Sequence, residues 1–162
     1  MTTYARLREV LHYDTETGVF TWLKSGSGRR PDLTAGRQHS EGYIHIGIDG
    51  RRYYAHRLAW LYMTGAFPKE QIDHKNADRS DNRWSNLREA TQFQNNANAR
   101  RSKRNKSGFK GVSWAKKHKK WTAHISVEGR QINLGLFDDA SVAHAAYVRM
   151  ATAAHGAFAR AD

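Results

Sequence analysis

Asp73 and His74 stand side by side, Asn86 follows twelve residues after the histidine, and Asn95 comes nine further on. These residue types suit one kind of chemistry. A carboxylate and an amide carbonyl are hard oxygen ligands, and two of them leave most of a Mg²⁺ shell to water and substrate phosphate. An imidazole, with an ordinary pKa of about 6.5, accepts a proton from water near neutrality. A metal at the leaving oxygen and a base on the attacking water suffice for phosphodiester hydrolysis. Spacing alone also allows a plain alternative, in which Asp73-His74 is a surface dipeptide and the asparagines cap loops.

The elements that must position these groups are legible nearby. Residues 71–75 alternate apolar and polar types and predict a strand. The Asn/Asp/Ser run over 76–82 predicts a loop, because such side chains bond their own backbone. Residues 86–90 predict a second strand, and Thr91 is a good N-cap for a helix over 92–100 with Asn95 one turn in. Strand, loop, strand and helix would let Asp73 and Asn95 face each other. Upstream, Asp49-Gly50 marks a hairpin over 43–56. Ile44, Ile46 and Ile48 then oppose Ala55, Tyr53 and Arg51, while His45, Tyr54 and His56 share the other face. His56 reads as a structural, hydrogen-bonding histidine. Residues 57–64 predict a buried helix capped by Gly65, which with the hairpin forms the platform behind the site. Residues 3–12 predict an amphipathic helix and 19–22 a strand. The loop over 25–30 carries two arginines, Arg29 and Arg30, suited either to phosphate or to solvent.

Charge points to a polyanionic partner. The 162 residues carry a net +12 with pI near 10.2. Between Glu89 and Glu128 there are ten Lys or Arg and no acid. Half of them, Arg100, Arg101, Lys103, Arg104 and Lys106, fall in a basic linker over 100–107. Extended, its eight residues would span at most roughly 26–29 Å. The chain has no cysteine, which excludes disulfides and Cys-based zinc sites and agrees with a reducing cytoplasm. No apolar run approaches 18 residues and no signal peptide is present, so neither membrane insertion nor secretion is expected.

Residues 108–162 predict a second unit. Strands are expected over 109–114, 120–127 and 130–137, then a helix over 140–154 between Asp139 and Gly156. Alternation turns Trp121, Ala123, Ile125 and Val127 inward with Ile132 and Leu134. Thr122, His124, Ser126, Gln131 and Asn133 face outward. Flanked by lysines, that face suits a DNA major groove, where Asn and Gln pair with adenine; it suits solvent equally.

Two resemblances sharpen these alternatives. Asp73-His74, Asp81-Asn82-Arg83, Asn86-Leu87 and Asn95 resemble the motifs of HNH (ββα-metal) endonucleases of the phage and intron-associated group. The likeness extends upstream through Gly42-Tyr43, Asp49-Gly50 and His56-Arg57-Leu58-Ala59-Trp60. It implies His74 as general base, Asp73 and Asn95 as ligands of Mg²⁺ or Mn²⁺, and Asn86 as the brace of the intervening loop. Asn95 stands where many members carry histidine. The second unit is similar to the APETALA/ethylene-response DNA-binding domain through Gly111-Val112, Trp121, Leu134-Gly135-Leu136-Phe137-Asp138, Ala143, Ala146-Tyr147 and His155-Gly156. In that family a three-stranded sheet reads the major groove; here Lys110, Ser113, His124, Ser126 and Asn133 replace its arginine-rich outward positions.

The expected fold is α+β. A ββα-metal nuclease module over 1–99 and a basic linker over 100–107 precede a DNA-binding domain over 108–162, a three-stranded antiparallel sheet packed on one helix. The expected activity is metal-dependent hydrolysis of double-stranded DNA by a monomer that nicks one strand. The rivals are a non-catalytic DNA-binding regulator with a decayed nuclease half and, third, an RNA-binding protein.

Overall fold

Thr3 accepts a hydrogen bond from the Arg6 amide through its side chain and starts α1 (Tyr4–Val10) in the computed structural model, which describes residues 1–26 and 30–161. Arg29 of the predicted loop lies outside the described residues. The helix stops short of the predicted His12 because the pattern changes period. Leu11 and Tyr13 are buried with His12 exposed between them, so the chain extends as β1 (Leu11–Tyr13) and pairs antiparallel with β2 (Phe20–Trp22). The turn between these strands presses on a distant segment. A Cβ at Gly18, where φ is +74°, would lie 2.4 Å from the backbone of Asn82 and Arg83.

The central sheet is antiparallel, in the order β3 (Arg37–Gln38), β4 (Ile44–Ile48) and β5 (Arg51–Tyr54). Asp49 and Gly50 both take positive φ, 49° and 74°, and close the β4–β5 hairpin in the predicted register, with Ile46 opposite Tyr53 and Ile48 opposite Arg51. Next, α2 (Ala55–Thr64) ends on Gly65 at φ 79°, whose N–H reaches the Leu61 carbonyl. Leu58 and Ala59 of α2 pack with Ile46, Ile48, Leu7, Leu11 and Phe20 into the core. Against this platform lie β6 (Gln71–His74) and β7 (Leu87–Ala90), paired as a two-stranded sheet with a 3₁₀ turn at Trp84–Asn86 before the second strand. Trp84 meets Trp60 of α2 with ring centroids 5.1 Å apart, which ties that turn to the helix.

The chain divides into two units, Met1–Glu89 and Ala90–Asp162. The second begins with α3 (Gln92–Asn98), started by a full capping box between Thr91 and Gln94. Residues 100–107 do not run extended. Asn105 bonds back to the Ser102 carbonyl, and its side chain donates to the Phe109 and Val112 carbonyls at 2.9 and 3.1 Å. Ser107 Oγ reaches the same two carbonyls, so short polar side chains fold the segment onto the strand that follows. Its full extended reach is therefore not realised.

The three strands β8 (Val112–Ala115), β9 (Lys120–Val127) and β10 (Arg130–Phe137) form an antiparallel sheet with β9 central, packed on α4 (Ala140–His155). Asp139 caps α4 as predicted. Val112, Ala123 and Ile125 of the sheet are buried with Ala143, Tyr147 and Ala151 of the helix. Gly111 is needed where it stands: a Cβ there would sit 2.1 Å from the Tyr147 ring. Two details depart from simple alternation. Ile132 opposes Ile125 but, on an edge strand, stays 37% exposed. Leu134 is then an extra residue between the Asn133–His124 and Gly135–Ala123 pairs, and this bulge shifts the phase so that Leu136 opposes Thr122 on the outer face. Among the described residues no helix is long and apolar enough to cross a membrane.

Candidate active site

The strand β6 is buried on both faces. Ile72, Asp73 and His74 are each 5% exposed or less, a run that alternation alone would not produce. Burying the Asp73 carboxylate demands a partner, and β7 supplies it. Arg88 directs Nε and Nη2 to Asp73 Oδ2 at 2.8 and 2.7 Å. The pair joins the two strands of the site.

His74 packs on the platform through rings. Its imidazole lies edge-on to His56, with centroids 5.1 Å apart, and 6.0 Å from Tyr43. Its Nε2 is 3.3 Å from Asn82 Oδ1. Burial pushes the His74 pKa below its ordinary value, against the opposing pull of Asn82 and Asp73, so the ring is neutral at pH 7 and able to accept a proton. His56 corrects an expectation. It is structural, yet its Nδ1 is buried without a hydrogen bond, and the ring is held by Tyr54, Tyr43 and His74.

Burial, helped by the neighbouring His74, lowers the His56 pKa to about 3. A folded-state pKa below the unfolded one stabilises the fold above pH 6.5, and that stability is lost as pH falls towards 3. By pH 5 the first unit is expected to lose about 2 kcal/mol from His56 alone. Urea midpoints at pH 7 and 5 check this; a His56→Phe variant with the same pH slope as wild type would contradict it.

Asn86 braces the loop between the strands. Its Oδ1 accepts from the Asn76 amide at 3.1 Å, its Nδ2 donates to the Asp81 carbonyl at 2.7 Å, and its own carbonyl accepts from Lys75 N–H at 2.9 Å. Asp81 is fixed in turn by Arg83, whose hydrogen bonds hold its carboxyl pKa at about 2, and by Asn76 Nδ2 at 2.7 Å. Of the residues singled out from the sequence, Asp73, His74 and Asn86 lie in the first unit. Sequence reasoning did not assign roles to Arg88 or Asn82, although both lie between Asp73 and Asn95 in the chain.

The donor chemistry fits a hard divalent ion. Among the described residues no group of three or more His, Cys, Asp or Glu is placed to hold a metal. Asp73 on β6 offers a hard carboxylate oxygen of the kind Mg²⁺ takes.

The remaining candidates belong to the second unit. Asn95 sits one turn into α3, half-buried. Arg100, Arg101, Lys103, Arg104 and Lys106 are exposed, and Arg101 reaches the Asn105 carbonyl at 3.1 Å. Lys110 serves the structure instead, since its Nζ donates to the Ala97 and Ala99 carbonyls, each at 2.6 Å, at the C-terminal end of α3. Ser113, Ser126, Gln131 and Asn133 are exposed, with Thr122 and His124 half-buried. Asn133 Oδ1 accepts from Gly135 N–H at 2.9 Å and faces Thr122 Oγ1 at 3.4 Å, so its carbonyl holds the bulge. A two-bond contact from Asn133 to adenine would have to break that arrangement.

Residues 53–97, which contain Asp73, His74, Asn86 and Asn95, match the family model of the HNH endonucleases. Protein 3.8 of Escherichia phage T7 is 35% identical over 106 residues, which are 65% of this chain and 87% of that protein. A solved structure described as DNA binding and cleavage by the HNH homing endonuclease I-HmuI is 27% identical at a TM-score of 0.43. That match covers 55% of this chain and 51% of the other, so the chain spans about half the length of that endonuclease. Residues 53–97 of this chain are an HNH endonuclease domain.

Proposed function

We propose that the protein is a Mg²⁺-dependent DNA endonuclease, Mn²⁺ being the nearest substitute, that nicks one strand of duplex DNA. The observation that carries this reading is the neutral, buried His74 beside the buried carboxylate of Asp73, on a strand whose following loop is braced by Asn86. Asp73 and Asn95 are the residues that would hold the ion. When bound, a divalent cation supplies Lewis-acid stabilisation of the charge developing on phosphate and leaving oxygen. His74 takes the proton of the attacking water, and Asn86, by bracing the loop, keeps the imidazole aimed at that water. One site per chain favours a nick by one protomer.

The second unit supplies grip. Exposed Arg100, Arg101, Lys103, Arg104 and Lys106 neutralise phosphates, and the outer sheet face of Ser113, Thr122, His124, Ser126, Gln131 and Asn133 enters the major groove in the manner of APETALA/ethylene-response domains. Here Asn133 contributes its amide N–H₂, the carbonyl being committed to the bulge. One observation suits the rival reading of a DNA-binding regulator: Arg88 satisfies Asp73 with no metal required. Supercoiled plasmid separates the two. The nuclease converts it to open circle in Mg²⁺ and leaves it supercoiled in EDTA; shifted but uncut plasmid carrying the target, with Mg²⁺ present, would favour the regulator.

A further inference from the structure

In the second unit β8 begins at Val112, opposite Ala123 of β9. One further bond joins the two segments, from the His124 N–H to the Gly111 carbonyl. Among the described residues β9 then runs on to Val127 with no strand on that side. The helix α3 lies along the gap. Its Phe93 packs on the turn between β9 and β10, where a Cβ at Gly129 would be 3.2 Å from the ring. A cleft of about 190 Å³ remains between helix and strand, with Phe93, Asn96, His124, Ser126 and His155 in its lining. Sites for drug-sized ligands measure roughly 300–1,000 Å³, so this one suits a single ring system. Phe93 is 51% exposed although it lines the cleft. Asn96 Oδ1 accepts from Gln92 Nε2 at 2.9 Å, which leaves the Nδ2 hydrogens. Neither these, nor the Ser126 hydroxyl, nor the rings of His124 and His155 make a hydrogen bond to protein among the described residues. No acid among the described residues lines the cleft, and Arg100 and Arg101 follow α3 closely in the chain.

We infer that this cleft receives one nucleobase displaced from a DNA strand, with Phe93 as the surface it stacks on and Asn96, His124, Ser126 and His155 along its hydrogen-bonding edge. An aromatic wall with a few convergent polar groups matches an unpaired base, which has a π-face to stack and a donor and acceptor edge to satisfy. The source is the DNA strand. His124 and Ser126 belong also to the outer sheet face proposed to enter the major groove, so a base leaving the stack there has the cleft beside it. The inference rests on that DNA-binding reading of the second unit. It adds a preference that groove contacts do not give. DNA with one unpaired base is held more tightly than the same duplex fully paired, since no base pair has to be broken.

Fluorescence anisotropy of the full chain, with EDTA present to prevent cleavage, compares one duplex with the same duplex carrying a single unpaired A, C, G or T. Wild type is expected to bind at least one bulged duplex about 5–100-fold more tightly than the paired one. Phe93→Ala removes the stacking surface, and Ala97→Leu fills the cleft from α3. Each should abolish the preference and leave paired-duplex affinity unchanged. If Phe93→Ala fails to fold, Ala97→Leu carries the decision. A preference absent from wild type, or surviving both variants, would overturn the inference while DNA binding stands. No binding to any duplex would remove the DNA reading and the inference with it. Free deoxynucleoside monophosphates are titrated in parallel, read by the Ser126 amide signal. Tighter binding of these than of bulged duplex would assign the cleft to a small molecule and overturn the inference as well.

Discussion

Replacing His74 with Ala is expected to slow plasmid nicking by about 10²–10⁴-fold, the usual contribution of a positioned general base, without weakening DNA binding. The two readouts part because of where the ring lies. His74 is 4% exposed and packed between His56, Tyr43 and Asn82, whereas the cations proposed to meet phosphate are exposed on the second unit. Losing the ring also leaves a cavity on the platform, so stability is measured alongside. His74→Gln fills more of that space and should be equally slow. Full activity in either variant would remove His74 from the mechanism; lost DNA affinity would mean that the platform, and not the base, had failed.

Arg88→Met is expected to destabilise the first unit by about 3–5 kcal/mol, because it strands the Asp73 carboxylate in the interior. The side chains of Arg88 and Asp73 are 15% and 4% exposed, and both guanidinium bonds converge on Oδ2 at 2.7–2.8 Å. This is a buried pair, unlike the exposed Arg6–Glu9 and Lys24–Glu9 bridges, which water screens. Removing the carboxylate as well, in Asp73→Leu/Arg88→Met, should recover most of the loss, since an apolar pair leaves no stranded charge. Urea unfolding of the single and double variants is the measurement. A single variant within about 1 kcal/mol of wild type would show that Asp73 is solvated or otherwise neutralised.

What could be read from the chain was what local physics decides. The Asp49-Gly50 turn and the Thr91, Gly65 and Asp139 caps each rest on a few adjacent residues, and each is in place. The borders of β9 and β10 also fall where the sequence predicts them. Features set by distant partners were not legible. Arg88 looks like a solvent-facing strand cation until β6 and β7 pair and bring it to Asp73. Asn82 looks like one more loop asparagine until the Gly18 turn buries it. The bulge at Leu134 was hidden because strict alternation and a one-residue phase shift agree up to Asn133 and part only at Leu136. The basic segment read as a linker because charge dominates its composition, while the Asn105 and Ser107 bonds that fold it use uncharged residues.

We propose that a divalent ion is held beside His74 by the Asp73 carboxylate. Mn²⁺ at substoichiometric amounts, added to ¹⁵N-labelled full-length protein, tests this most directly through paramagnetic broadening. The His74 ring and the Asp73 backbone amide are expected to broaden ahead of the rest of the first unit and to sharpen again when Mg²⁺ is added in excess. Both signals staying sharp while the rest of the chain broadens would contradict the proposal.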